Sequence, residues 1–140
     1  MKKDASFGLI PIYQDQQQLE FLLVKHVIGH WAFPKGHAEN QESSLETAQR
    51  EFEEETGVLA YEVDESMTFQ EEYYPQKDGQ IFHKTVIYYL ATISDKRVKI
   101  QPEEIADYGW FDYKTAINRI TFPADKKLLR EVRKYLMEKK

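Results

Sequence analysis

Apolar positions along this chain fall into short runs first and a helical stripe last. Phe7 to Tyr13 and Leu19 to His26 are aliphatic and aromatic runs parted by Gln14-Asp15-Gln16-Gln17-Gln18, a pattern that predicts two strands in a hairpin or meander. Gly29, Pro34 and Gly36 surround Trp31 and Phe33, so Gly29 to Asn40 reads as a loop or a short strand emerging into one. Ser43-Ser44-Leu45-Glu46 fits a capping box with Ser43 as N-cap. Gly57 stands where a left-handed terminating residue is wanted, and together they predict a helix from about Ser44 to Thr56. Between Glu65 and Ile93, two strand-like runs flank Gln76-Lys77-Asp78-Gly79, whose Asp-Gly pair is a hairpin signal and predicts a long antiparallel hairpin. Val98 to Ile100 and Tyr108 to Phe111 read as two short strands. Asp112 caps a brief helix, and Pro123 opens a last one with Leu128, Leu129, Val132, Tyr135 and Leu136 on one stripe. The sum is an α/β fold. Without an internal repeat or linker, it is expected to be one domain over residues 1–140.

Composition narrows the chemistry. The 140 residues contain no cysteine, which excludes thiol nucleophiles, thiolate metal sites and a disulfide scaffold, and points to a reducing cytoplasm. A metal must therefore bind through oxygen or histidine. The formal charge of −5 opposes binding to long nucleic acids, whose affinity depends on lysine and arginine displacing counterions. No apolar run follows the polar start Met1 to Ser6, and none reaches membrane-spanning length, so neither secretion nor a membrane is expected.

The helix breaks the rules of helix design. Leu45, Ala48 and Phe52 define its apolar stripe; at about 100° per residue, Glu51 and Glu55 fall on the stripe's edge and Glu54 one step further round. Like-charge pairs three and four residues apart each cost roughly 0.2 to 0.5 kcal/mol. Their place in the C-terminal half, at the negative end of the helix dipole, adds roughly 0.3 to 1 kcal/mol for an acidic side chain. No lysine in the helix offsets them. Partly desolvated carboxylates need a cation or a proton, and clustered hard oxygens suit Mg²⁺ or Mn²⁺. Arg50, near Glu54 on the wheel, could orient one of these carboxylates or simply form a helix salt bridge.

Gly36, then five residues, Glu42, then seven, and Arg50-Glu51-Phe52-Glu53-Glu54-Glu55-Thr56-Gly57-Val58 resemble the Nudix box, G-x5-E-x7-R-E-U-x-E-E-x-G-U. Every fixed position matches; Phe52, where an aliphatic residue is usual, departs only in packing. The resemblance implies an α/β/α sandwich around a mixed β-sheet, with the box as a loop-helix-loop. It also implies Mg²⁺-dependent hydrolysis of a nucleoside diphosphate linked to another moiety. Carried over by position, Glu51, Glu54 and Glu55 would bind the metal with the carbonyl of Lys35 or Gly36, and Glu42 would pair with Arg50.

Flanking segments resemble the asymmetrical dinucleoside tetraphosphatase branch of that family: Trp31 to His37, Lys84 to Ala91, and Glu104 six residues before Trp110. This implies a small nucleotide substrate such as diadenosine tetraphosphate. Other substrates of the wider family stay open: RNA 5′ ends, oxidised nucleoside triphosphates, inositol pyrophosphates, or nucleotide sensing without turnover. Glu55 or Glu104 would take the proton of the attacking water. Lys35, His37 and Lys84 are candidates for phosphate contacts. Tyr88 is the candidate ring for stacking on a base, with core packing as its rival role.

Overall fold

Leu9-Ile10 and Leu22-Leu23 are consecutive apolar pairs. Successive side chains of a strand leave on opposite faces, so both faces of these strands need cover. A computed structural model, which describes residues 1–139, shows how the cover is arranged. In chain order the elements are β1 (Lys2–Gln14), β2 (Leu19–His26), β3 (Trp31–Ala32), β4 (Lys35–Gly36) and α1 (Ser44–Thr56). There follow β5 (Tyr61–Tyr73), β6 (Gln76–Lys77), β7 (Gln80–Ile93), β8 (Ile105–Asp112), α2 (Tyr113–Arg119) and α3 (Pro123–Glu138).

The sheet is mixed. Its path runs β3, β2, β1, β7, β5, with β8 also on β2. β1 lies parallel to β7, and the other pairings are antiparallel. Leu9, Leu22, Ala91 and Ile93 pack on one face with Ala48 and Phe52 of α1 and with Val58. Ile10, Leu23, Val86, Tyr88 and Leu90 pack on the other with Leu128, Leu129 and Val132 of α3 and Ala116 of α2. Helices thus cover both faces, giving the α/β/α sandwich. Among the described residues no helix is long and apolar enough to cross a membrane.

One departure from regular pairing positions the site. β1 and β2 pair only beside their hairpin, through Ile12 to Gln14 and Leu19 to Phe21. Beyond it the freed edges are taken by the segment between them: Trp31 and Ala32 on β2, Lys35 and Gly36 on β1. Lys35-Gly36 is thereby held at the centre of the fold. Gly8 allows this close approach, since a Cβ there would lie 2.3 Å from the Pro34 carbonyl oxygen.

Local signals account for the element ends. Ser43 and Glu46 form the reciprocal capping box, and Gly57 ends α1 at φ 69°. Asp78 and Gly79 both take positive φ, 53° and 73°, as the tight β-hairpin turn requires. Asp112 caps α2, and Pro123 opens α3. Val98 to Ile100 is a correction: these residues form no strand. The Lys99 amide donates to the Thr56 carbonyl at 2.8 Å and the Gln101 amide to the Glu55 carbonyl at 3.3 Å. The segment satisfies carbonyls that the end of α1 leaves open, and so is not available to a sheet.

Candidate active site

The acidic wall is built from α1 outward. Burying the apolar stripe through Ala48 and Phe52 carries Glu55 into the protein, where it is 1% exposed, while Glu51 on the preceding turn is partly buried. Glu104 comes from the turn before β8. That turn is held by the Ile105 amide on the Gln101 carbonyl at 2.8 Å and the Val27 amide on the Glu104 carbonyl at 2.9 Å. One carboxylate oxygen from each of Glu51, Glu55 and Glu104 lies within 4.8 Å of the other two.

Neither oxygen of Glu55 has a hydrogen-bond partner among the described residues. Burial, then the nearby Glu51 and Glu104 carboxylates, push this carboxyl up to about 9, against a smaller opposing pull from Lys35. An orphaned carboxylate between two others is the state that a cation or a proton must relieve. Gly36 closes the cradle: a Cβ there would fall 2.1 Å from Cδ of Glu51, so only glycine lets the carboxylate lie against the β4 backbone. Three hard oxygens from side chains fit Mg²⁺ or Mn²⁺.

Arg50 orients this wall. Its guanidinium donates to Glu42 at 2.7 and 3.1 Å, to Glu51 at 2.9 Å, to Glu54 at 3.2 Å and to the His37 carbonyl at 2.9 Å. One planar fork therefore ties the loop before α1 to two glutamates of the helix. Hydrogen bonding from Arg50 holds Glu42 well below the usual carboxylate range, at about 2. Glu54 has a half-exposed side chain turned to Arg50, and the three carboxylates that converge are those of Glu51, Glu55 and Glu104.

The opposite wall is basic. Asp4 and Lys84 are partners in the parallel β1–β7 ladder, and Lys84 Nζ donates to Asp4 at 2.9 Å and to Ser6 at 2.6 Å. The His37 ring meets the other Asp4 oxygen at 2.9 Å. Lys35, His37 and Lys84 thus line, with Glu51 and Glu104, a cleft of about 520 Å³. Tyr88 differs from its sequence reading. It is fully buried, its ring edge-on to Phe33 at 6.0 Å, so it has no free face for a base. β7 is covered on both sides, which sequence alone did not show at that position. The aromatic rings that do line the cleft are Tyr73 and Phe122, the latter 47% exposed just before α3. An aromatic placed directly before the helix-opening Pro123 was the sequence signal for Phe122.

A sandwich of this topology, with a loop-helix-loop between its strands, is the arrangement expected of the NUDIX family. A sequence model of the NUDIX domain matches residues 2–132, and the chain belongs to that family as a Nudix hydrolase. Its relatives narrow the branch. The chain is 37% identical over 132 residues to the bis(5′-nucleosyl)-tetraphosphatase [asymmetrical] of Mus musculus, covering 91% of this chain and 87% of that protein. The protein of the same description from Rattus norvegicus is 37% identical over 127 residues, covering 87% and 84%. Among solved structures, a C. elegans Ap4A hydrolase in a binary complex superposes with a TM-score of 0.83 at 25% identity, covering 96% of this chain and 98% of that one.

Proposed function

We propose that this chain hydrolyses dinucleoside polyphosphates in a divalent-cation-dependent reaction, with diadenosine tetraphosphate, split to ATP and AMP, as its main substrate in the cytoplasm. The observation that carries this reading is the meeting of acid and base in one cleft: Glu51 and Glu104, with the buried Glu55 carboxylate beside them, share it with Lys35, His37 and Lys84. Acidic residues alone repel a polyphosphate, and basic residues alone cannot hold Mg²⁺. A linear polyphosphate needs both. The names carried by the relatives over most of the chain support the choice of substrate.

Glu51 and Glu55, with Glu104 and the Gly36 carbonyl, would hold the cation, and Glu54 stands at the rim through Arg50. A bound Mg²⁺ or Mn²⁺ would supply charge neutralisation at the phosphates and a lowered pKa for bound water. Lys84 and His37, braced by Asp4, and Lys35 from β4 would hold the phosphate chain and keep it extended along the cleft. Glu104 is the most open of the three carboxylates, and we assign it the proton of the water that attacks phosphorus. Tyr73 and Phe122 offer apolar faces beyond the phosphates.

Product analysis tests the reading. Purified protein with diadenosine tetraphosphate and Mg²⁺ should yield equal ATP and AMP, and cleavage in ¹⁸O-labelled water should place the label on one of them. Two ADP molecules, or no turnover with either Mg²⁺ or Mn²⁺, would overturn it.

A further inference from the structure

The ammonium of Lys84 is held inside the protein. Its side chain is 9% exposed, and it rises from β7 opposite Asp4 in the parallel ladder with β1. Ser6, two residues further along the same face of β1, is buried beside it. Lys84 Nζ donates to Oδ2 of Asp4 at 2.9 Å and to Oγ of Ser6 at 2.6 Å. The other Asp4 oxygen, Oδ1, meets Nε2 of His37 at 2.9 Å. An ammonium has three N–H groups and no acceptor. Two of the three are therefore engaged by β1.

Nε2 of His37 also lies 3.3 Å from Lys84 Nζ, so the state of that nitrogen decides whether the third N–H is engaged as well. A carboxylate can only accept, and the shorter of the two contacts is the one to Asp4. A hydrogen on Nε2 satisfies Asp4 and leaves no lone pair there for Lys84. Among the described residues the third N–H of Lys84 is thus free, and Lys84 and Ser6 both line the cleft. With its stem bond and two N–H bonds fixed, a tetrahedral ammonium has one direction left.

Lysine ordinarily serves as a mobile point charge. Here it is made a fixed donor, and the same carboxylate that fixes it cancels much of its charge as felt from a distance. Attraction and aim, the two things a cation can offer a polyphosphate, are separated. We propose that Asp4 and Ser6 are positioning residues that aim one N–H of Lys84 at a phosphate oxygen of the substrate, and that Asp4 does so while weakening the pull of the wall on the polyphosphate. The proposal rests on the reading of the chain as a nucleotide hydrolase, and deepens it by naming what sets the phosphate wall.

Three variants of the whole protein, assayed with diadenosine tetraphosphate and Mg²⁺, tell aim from charge. Ser6→Ala keeps the charges and loosens the ammonium. Losing an aimed, charge-assisted hydrogen bond should lower kcat/KM about tenfold, and Ser6→Thr, which keeps a hydroxyl, should recover most of it. Asp4→Asn removes the negative charge but keeps a carbonyl oxygen for Lys84. Its KM should fall about threefold at low ionic strength, and the gain should vanish in about 0.5 M salt, where exposed charges are screened. Asp4→Ala removes charge and acceptor together, so its kcat/KM should lie about tenfold below that of Asp4→Asn; it also tests the aim if Ser6→Ala does not fold. An ion pair serving the fold alone would give no gain in Asp4→Asn. Wild-type kcat/KM in folded Ser6→Ala, equal values in Asp4→Asn and Asp4→Ala, or a KM in Asp4→Asn no lower than the wild type's at low salt overturns the proposal and leaves the hydrolase reading intact. If the wild type turns over no dinucleoside polyphosphate, the hydrolase reading fails instead. Calorimetric binding of inorganic tripolyphosphate then decides: weaker binding by Ser6→Ala and tighter binding by Asp4→Asn sustain the proposal, and equal affinities overturn it.

Discussion

Among the described residues there are two buried carboxylate clusters, and in each of them burial and a neighbouring acid push a glutamate up to about 9. Their surroundings differ. Around Glu55 stand an open carboxylate, a backbone pressed close at Gly36 and the Arg50 fork that aims Glu51. Around Glu71 stand one further acid and apolar walls. A cation needs several oxygens and access to water, whereas a proton needs only one partner, so the first cluster is suited to a metal and the second to a proton. Counting acids does not separate the two. What separates them is the polarity and openness of the cavity each one faces.

Breaking that contrast gives the largest effects. Glu55→Gln should lower kcat/KM by about 10² to 10⁴-fold, yet in chelator the variant should melt no lower than the wild type, because the amide no longer needs a proton or an ion. A wild-type rate in this variant would refute the assignment of the metal wall. Arg50→Lys keeps the charge but loses the planar fork. It should weaken Mg²⁺ activation about 10 to 100-fold, read as a rise in the Mg²⁺ concentration giving half-maximal rate.

Stability against pH sharpens the comparison. A carboxyl at about 9 in the folded chain and near 4.5 when unfolded binds its proton more tightly in the folded state. Its contribution is therefore fully present below about 4.5 and is lost as pH rises toward 9. In chelator, Tm should fall between pH 5 and pH 8.5. Saturating Mg²⁺ should recover the part belonging to Glu55 and leave the part belonging to Glu71, so that Glu71→Leu flattens the remaining slope. Recovery of the whole slope by Mg²⁺ in the wild type would mean that both clusters bind cations. The smallest effect lies far from either cluster. Gly79→Ala, at φ 73° in the β6–β7 turn, should cost about 1 kcal/mol in unfolding experiments and leave kcat/KM unchanged.

The parts of the fold that local chemistry specifies were legible in the sequence. Ser43, Glu46 and Gly57 mark α1 to the residue, and Asp78-Gly79 marks its hairpin, because caps and turns are set by neighbours in the chain. The crowding of Glu51, Glu54 and Glu55 was legible as a cost that only function repays. What long-range register decides was less so. Glu104 reaches Glu55 across about fifty positions, and Tyr73, Phe122, Glu71 and Asp125 meet only because α3 lies over β5. Tyr88 illustrates the converse. An aromatic on a strand shows the same pattern whether it faces a cleft or a second layer of packing, and here the layer includes Phe33.

The strand-free segment around Lys99 has a mechanical consequence. Its amides are clasped to the carbonyls of Thr56 and Glu55, so the strip of backbone leading to Glu104 is fastened to the same helical turn that bears Glu55. Those two carboxylates therefore ride on one rigid body, and their spacing is kept by main chain without need of a cation. The jaws stay set between turnovers, and hydrogen exchange at the Lys99 and Gln101 amides should be as slow in chelator as in Mg²⁺.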